Sequence, residues 1–526
     1  MEFGVSLFDW YARKRIHKAQ LYHNPVYAGT DRLSATMSKQ LREPFAFVIF
    51  GASGDLSRKK LIPALHHLAT LGYRPDKYAV VGTARTPMND EQFREFVRTA
   101  LDEHRSEDKG DVPSDAERLL PFVYYVTGDT TKSEGVQALK ARLEQLDQQL
   151  ALNGNRLLYL AVAPDLVPKI IHNLHEAGLL HQRGEHSWVR VVFEKPFGRD
   201  LASAHKLNVS MKRILHENQI FRIDHYLGKE TVQNILTFRF GNSIFEPIFN
   251  RTHVHDIRIT VAESIGMEGK RGAYYDTAGA LRDIVQNHAL QLLCLTTMEP
   301  PASFESEAIR DEKVKVLRSL PVMTVDEVAA STVRGQYRGY RQEEGVRPDS
   351  TTETYVALRT HIDNWRWSGV PIIIETGKRL SQRLTEIRIE FNQPPLCLFR
   401  EFSDLPANPN TLIMRIQPNE GISLSFVCKQ PGARFVVQDV KMDFSYGATF
   451  DQRPPEAYER LLLDALRGDA SLFTRSDEVE SAWRFASAIL DAWAQLPNPE
   501  FPNYEPATRG PAEANRLLNM VQTRRQ

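Results

Sequence analysis

The sequence predicts a molecule in two unlike parts: an α/β domain on a parallel sheet, followed by a β+α domain with a large, mostly antiparallel sheet. Three observations carry this. Between about residues 45 and 193, continuous apolar runs of strand length alternate with helical stretches, as parallel strands buried on both faces require. Beyond about residue 350 the apolar residues recur at period two with few helices between the runs, which marks an antiparallel sheet with one polar face. At 526 residues the chain is too long for one ordinary domain and long enough to bury a sizeable core.

Composition narrows the function classes. The 66 basic and 66 acidic residues cancel, so nothing global points to nucleic acid, and any anion site must come from local clustering. The three cysteines, Cys294, Cys397 and Cys428, lie far apart and match no metal or redox spacing, which reads as reduced thiols in a cytoplasmic protein. No apolar run approaches the roughly 18 residues of a membrane helix. The basic N-terminus has no apolar core after it, so export is not expected. There is no internal repeat, and residues 497–511 are proline-rich and read as irregular.

Residues 1–42 read as an extension, in which Leu7 to Tyr11 followed by Arg13, Lys14 and Arg15 form either a short amphipathic docking helix or ordinary irregular chain. The first strand, Phe45–Phe50, runs into Gly51-Ala52-Ser53-Gly54-Asp55-Leu56. Two glycines directly after a buried strand let the backbone turn tightly and approach a pyrophosphate, whose charge then meets the next helix's N-terminus. The spacing is not G-x-G-x-x-G; the strand before it and the helix start at Ser57 after it are what support a Rossmann-type domain, spanning 43–221. Pro63 belongs at a helix start or a kink. The second strand, from Tyr78, leads to Arg85; an arginine at that turn accepts the 2′-phosphate of NADP, whereas an acid selects NAD, and the first acid here is Asp90. Either Arg85 reads that group or it is merely solvated. Strands at 122–126, 157–162 and 189–193 follow, with helices between them, and the last closes on Lys195 and Pro196. Strand carboxyl ends gather ligands in open α/β sheets, so Lys195 is expected beside Gly51 and Gly54. The isomer of Pro196 stays open.

The stretch from Arg222 to Glu230 packs an acid, an imidazole, a phenol and an ammonium together. With Asp224 capping a helix, His225 and Lys229 fall four apart on one face of its first turn, where two cations and the helix dipole suit a phosphate. An ordinary solvated helix start is the alternative. Residues 281–298 read as a helix with the apolar stripe Leu281, Ile284, Val285, Leu292 and Leu295. Five α-helical steps leave Asp283 and His288 about 140° apart around the axis. If His288 is a base, its orienting carboxylate must therefore come from elsewhere, and Asp224 is the candidate. Alternations around Val356, Ile387, Met414, Leu424 and Met442 supply the second domain's strands, with helices at 455–466 and 476–496 and room for a subunit interface on the sheet.

Read together, Gly51 to Leu56, Glu194-Lys195-Pro196-Phe197-Gly198, Arg222 to Lys229, Arg282 to His288 and Phe473 to Glu480 resemble the glucose-6-phosphate dehydrogenase family from about Glu43 onward. The resemblance implies oxidation of glucose 6-phosphate at C1 to the lactone with NADP, the first step of the oxidative pentose phosphate pathway, with NAD as a secondary cosubstrate and no metal. It implies His288 as general base and Asp224 orienting it. Lys195, His225, Tyr226, Lys229, Glu263, Asp283, Lys378 and Arg383 would hold the sugar phosphate. Gly51, Ala52, Ser53, Gly54, Asp55, Leu56, Arg85 and Lys195 would bind the cofactor. A homodimer or homotetramer through the second domain's sheet, covering 222–526, is the expected assembly, with no nucleic-acid or membrane partner.

Three departures from the family pattern stand out. The N-terminal extension is longer than in many members. Residues 268–276 read one residue longer than usual beside Glu263. Glu375 and Leu384 flank the Lys378 segment where eukaryotic members carry basic residues around a second, structural NADP, so that site is not expected. Two other readings are an oxidoreductase for another sugar phosphate and a non-catalytic scaffold; the His225/Lys229 pair and the joint presence of Asp224 and His288 argue against them.

Overall fold

In the computed structural model the described residues are 41–107, 116–182, 184, 187–267, 271–396, 398–399, 409–450 and 455–519. The extension up to residue 40, the segment Leu7 to Tyr11, Cys397 and Glu268 lie outside them.

Seven strands make the first sheet: β1 (Phe45–Phe50), β2 (Tyr78–Ala84), β3 (Val123–Thr127), β4 (Arg156–Leu160), β5 (Val189–Phe193), β6 (Ile220–Ile223) and, from far along the chain, β15 (Phe473–Thr474). Their order is β3-β2-β1-β4-β5-β6-β15, parallel throughout except for β15, which is antiparallel to β6. This is the doubly wound order of a Rossmann-type domain, whose strand order reverses between β1 and β4. All six β1 residues are buried, as the unbroken apolar run requires. The helix after β1 starts at Asp55, is π-helical over Ser57–Leu61 and α-helical over Ile62–Thr70, so Pro63 falls where the winding changes, the irregularity that a proline inside a helix calls for.

The second sheet has eight strands: β7 (Val254–Ala262), β8 (Thr332–Gly335), β9 (Tyr355–Thr360), β10 (Ile372–Gly377), β11 (Leu384–Phe391), β12 (Thr411–Gln417), β13 (Gly421–Lys429) and β14 (Val437–Ser445). The order is β14-β13-β12-β11-β7-β10-β9-β8, antiparallel except where β10 lies parallel to β7. The central strand β7 and its neighbour β10 are not among the strands expected above, although Ile257, Ile259 and Val261 do alternate. These three residues, with Ile387 and Ile389 opposite them, pack on the helical segment that carries His288.

The two halves interlock. Leu461, Leu462, Leu466 and Phe473 join the hydrophobic core beside β1, although they lie near the end of the chain. Trp483 of the Ser476–Gln495 helix donates from Nε1 to the Phe197 carbonyl at 2.8 Å, tying that helix to the loop after β5. No helix of the described residues is long and apolar enough to cross a membrane.

Candidate active site

At the end of β1 the chain turns through Gly51, whose φ is +78°. A Cβ there would lie 2.3 Å from the Ala161 carbonyl oxygen just past β4, so only glycine fits at this crossing of the β1 and β4 ends. The Gly51 and Ala52 N–H groups donate to the Thr83 carbonyl at 2.9 and 3.2 Å, and Gly54 N–H closes the turn on the Gly51 carbonyl at 2.9 Å. Ser53 Oγ lies 3.0 Å from Thr86 Oγ1, which holds the turn against the loop carrying Arg85. Arg85 is exposed and makes no hydrogen bond or ion pair among the described residues, whereas Asp90 is engaged by Tyr125 N–H at 2.7 Å and Arg142 at 2.5 Å. A cradle that excludes any side chain larger than glycine, with an uncommitted cation past β2, fits a dinucleotide carrying a 2′-phosphate.

The segment after β6 differs from the expected capped helix. Asp224 starts a turn in which its Oδ1 accepts the Tyr226 N–H at 2.9 Å, and the helix begins only at Glu230. Aspartate readily accepts a hydrogen bond from the backbone two residues on, and here that local turn replaces the helix start. His225 and Lys229 are therefore gathered by a turn and not by a helix face. The Tyr226 ring stacks on the His288 ring at 4.3 Å, His225 meets the same ring edge-on at 4.5 Å, and Lys229 Nζ lies 4.9 Å over Tyr226.

The expected helix over 281–298 is π-helical over Leu281–Ala289 and α-helical only over Leu290–Thr297. Its start is pinned by buried Glu353, whose Oε1 accepts the Leu281 N–H at 3.1 Å beside Gly279, where a Cβ would strike that same oxygen. The i→i+5 bonding of a π-helix brings residues five apart toward one face, so the 140° separation expected of an α-helix does not hold. Asp283 and His288 instead converge on one ammonium: Lys195 Nζ lies 3.1 Å from Asp283 Oδ1, 3.1 Å from the Asp283 carbonyl and 3.1 Å from His288 Nε2. Lys195 follows the end of β5, and the Lys195–Pro196 peptide is cis.

His288 is held from both sides. Its Nδ1 lies 2.6 Å from Asp224 Oδ1, and the two residues are 1 % and 3 % exposed. An ammonium can only donate, so Lys195 facing Nε2 assigns the lone pair to Nε2 and the proton to Nδ1. Burial and the Lys195 charge push the His288 ring below its ordinary pKa, against the pull of Asp224. Burial opposes the Asp224 charge, yet the His288 ring, His225 and the Tyr226 N–H together hold its carboxyl down to about 2. Lys195 stays charged because Asp283 outweighs its burial.

The remaining expected sugar-phosphate residues line the same cluster. Lys378, at the end of β10, pairs with Glu263, at the end of β7. Burial works against the Asp283 charge, but Lys195 and Lys378 hold that carboxyl below its usual range. Lys229 and Arg383 converge on Gln417 Oε1, Arg383 at 3.5 Å. Burial and the Arg383 charge bring Lys229 down to about 8, against the pull of Glu420. Burial, His288 and Lys195 push His225 well below the ordinary imidazole range.

Two neighbours escape sequence reasoning. Gln417 ends β12, and its Nε2 donates to Thr385 Oγ1 at 3.1 Å, a contact visible only in the β11–β12 register. Glu194 precedes Lys195 and accepts from the Tyr159 and Tyr458 hydroxyls at 2.5 and 3.1 Å. Its position in the Glu194-Lys195-Pro196 run was the available signal.

Residues 48–234 match the family model "Glucose-6-phosphate dehydrogenase, NAD binding domain", and residues 236–525 match "Glucose-6-phosphate dehydrogenase, C-terminal domain". The glucose-6-phosphate 1-dehydrogenase of Chlamydia pneumoniae is 44% identical over 490 residues, covering 90% of this chain and 94% of the relative. That of Aggregatibacter actinomycetemcomitans is 45% identical over 486 residues, covering 90% and 96%. Among solved structures, a glucose-6-phosphate dehydrogenase in complex with its substrate glucose-6-phosphate superimposes with a TM-score of 0.82 at 36% identity, covering 92% of this chain and 98% of that one. The Mycobacterium avium glucose-6-phosphate 1-dehydrogenase gives 0.78 at 36% identity, covering 91% and 97%.

Proposed function

The chain belongs to the glucose-6-phosphate dehydrogenase family, and from that premise we propose how its residues divide the work of one reaction. The protein oxidises D-glucose 6-phosphate at C1 to 6-phosphogluconolactone with NADP, the first step of the oxidative pentose phosphate pathway. The observation that carries the assignment of roles is the buried pair of His288 Nδ1 and Asp224 Oδ1 at 2.6 Å, with Nε2 turned toward Lys195, which Asp283 holds in turn.

His288 Nε2 removes the proton of the C1 hydroxyl, and its neutral state in the free enzyme suits it to that task. NADP, held by Gly51 to Leu56, Lys195 and Arg85, would supply the hydride acceptor for C1. Asp224 keeps the ring in the Nδ1–H tautomer and stabilises the imidazolium as it forms. Lys195, which shares Nε2 in the free site, yields that lone pair to the sugar hydroxyl and stays beside it through Asp283. Glu263, Asp283 and Lys378 hold the sugar hydroxyls, and His225, Tyr226, Lys229 and Arg383 hold the phosphate. The clustering of Lys229 and Arg383 on Gln417 supports this, since two cations sharing one neutral oxygen leave excess positive charge for a dianion. Gly51 to Leu56 and Lys195 cradle the dinucleotide, and Arg85 reads its 2′-phosphate.

The proposed division is an extension at 1–42, a Rossmann-type domain at 43–221 and a β+α domain at 222–526, acting in the cytoplasm without a nucleic-acid partner. Homodimers or homotetramers would form through the second sheet. The exposed apolar side chains Val427 and Met442 of β13 and β14, with Phe435 between those strands, support that surface. The test is NADPH formation from glucose 6-phosphate, from free glucose and with no sugar. Turnover of the phosphorylated sugar alone is expected. Equal turnover of free glucose would remove the phosphate site, and no turnover of either would remove the catalytic reading.

A further inference from the structure

Between the π-helix, β6, β15 and the start of the Ser476–Gln495 helix lies a small cavity of about 20 Å³ behind the catalytic cluster, with Lys195, Asp224, Gln286, His288, Gln291 and Glu478 in its wall. Both hydrogen bonds of the Asp224 carboxylate fall on Oδ1, from His288 Nδ1 and the Tyr226 N–H. Its Oδ2 is buried and has no hydrogen-bond partner among the described residues. A buried carboxylate oxygen without a donor is costly, and a polar cavity above roughly 10–15 Å³ can hold one water.

We infer that this cavity binds one ordered water that donates to Asp224 Oδ2, and that Gln291 and Glu478 position the catalytic dyad through it. This rests on the reading of Asp224 and His288 given above. The water places a third donor on the carboxylate and on its second oxygen, which fixes the carboxylate plane against rotation and favours its ionised form. The wall that holds the water is itself rigid. Lys313 Nζ pairs with Glu478 Oε2 at 2.8 Å, and the two side chains are 1 % and 0 % exposed. Gln291 bridges the same pair, accepting from Lys313 Nζ at 3.0 Å and donating to Glu478 Oε2 at 3.4 Å. Glu478 Oε1 accepts the Arg475 N–H at 3.0 Å, so its carboxylate is fixed at both oxygens. Gln291 lies on the same helical segment as His288, three residues on, so the network braces the base and its carboxylate together.

Ala482 also lines the cavity and takes no part in the polar network, which makes it the place to displace the water. Ala482→Val adds two methyl groups there, while Ala482→Ser adds one hydroxyl of nearly the same size. Crystal structures of the wild type and both variants, at a resolution that shows ordered water, are compared with steady-state kinetics. The expected result is a water within hydrogen-bond distance of Asp224 Oδ2 in the wild type and its loss in Ala482→Val. The kcat of Ala482→Val should fall roughly tenfold, the scale of one hydrogen bond to a charged group, with the glucose 6-phosphate KM within about twofold. Ala482→Ser should restore most of the rate. Gln291→Leu gives the same pattern of rate loss if Ala482→Val does not fold. No water at Oδ2 in the wild type overturns the site whatever the activity. Loss of the water with kcat unchanged overturns the positioning role. A wild type that holds the water yet fails to oxidise glucose 6-phosphate leaves the site standing and removes the catalytic reading instead.

Discussion

Asp224→Asn isolates the charge of the dyad from its geometry. The side chain is 3 % exposed, and its Oδ1 serves both the Tyr226 N–H and His288 Nδ1. Asparagine keeps a carbonyl oxygen at that position, so the ring orientation and the turn survive while the negative charge is lost. A carboxylate and an imidazolium joined by a 2.6 Å hydrogen bond have charge centres about 4 Å apart, worth about 4 kcal/mol at an effective dielectric constant of 20. That charge is needed only once His288 has taken the proton, so the loss falls on the transition state. A fall in kcat of about 10³ is expected, within the range of 10²–10⁴ that general acid–base catalysis supplies, with KM for glucose 6-phosphate changed less than about threefold. The assay is NADPH formation with ordinary and C1-deuterated glucose 6-phosphate. The isotope effect should rise as the chemical step comes to limit turnover. A variant with kcat near the wild-type value, or one whose loss sits in KM, would refute the assignment of Asp224 to the imidazolium.

Lys229→Ala should raise KM for glucose 6-phosphate by roughly ten- to a hundredfold, the worth of one charge-assisted hydrogen bond, and narrow the preference over free glucose; unchanged selectivity would locate the phosphate elsewhere. In the wild type, Lys229 near 8 loses its charge as pH rises past that value, so KM for glucose 6-phosphate should climb above about pH 8 and this climb should vanish in Lys229→Ala. His288 is active as a base only when neutral, and its depressed pKa keeps it neutral further into acid, so the acid limb of kcat/KM should lie below the ordinary imidazole value of about 6.5; a limb at or above that value would contradict the buried, Lys195-capped ring. Arg85→Ala should raise KM for NADP much more than for NAD, because only NADP carries the 2′-phosphate, and equal effects would show that Arg85 reads something else.

What could be read locally proved readable. The apolar run of β1, the glycine turn after it and the βα alternation depend on side-chain periodicity and on one backbone position with positive φ, all set within a few residues. The alternation of β11 to β14 likewise follows from which face of each strand meets the core. Helix geometry points from His288 to Asp224 by excluding Asp283 through an α-helical angle, and that angle is not the one the chain adopts. The pairing rests instead on contacts across 64 residues, between a strand end of one sheet and a helical segment packed on the other. Residues 281–289 wind as a π-helix, a rare conformation that no local pattern announces; it starts at the Glu353 contact, packs on β7 and changes which side chains meet. The same holds at Lys229, gathered by a turn, and at Gln417, 188 residues away, which reaches it through the register of β11 and β12. Residue types and short-range periodicity settle the elements and the chemistry on offer, but contact between side chains far apart in the chain is decided only when burying the two sheets and their helices fixes one register out of many.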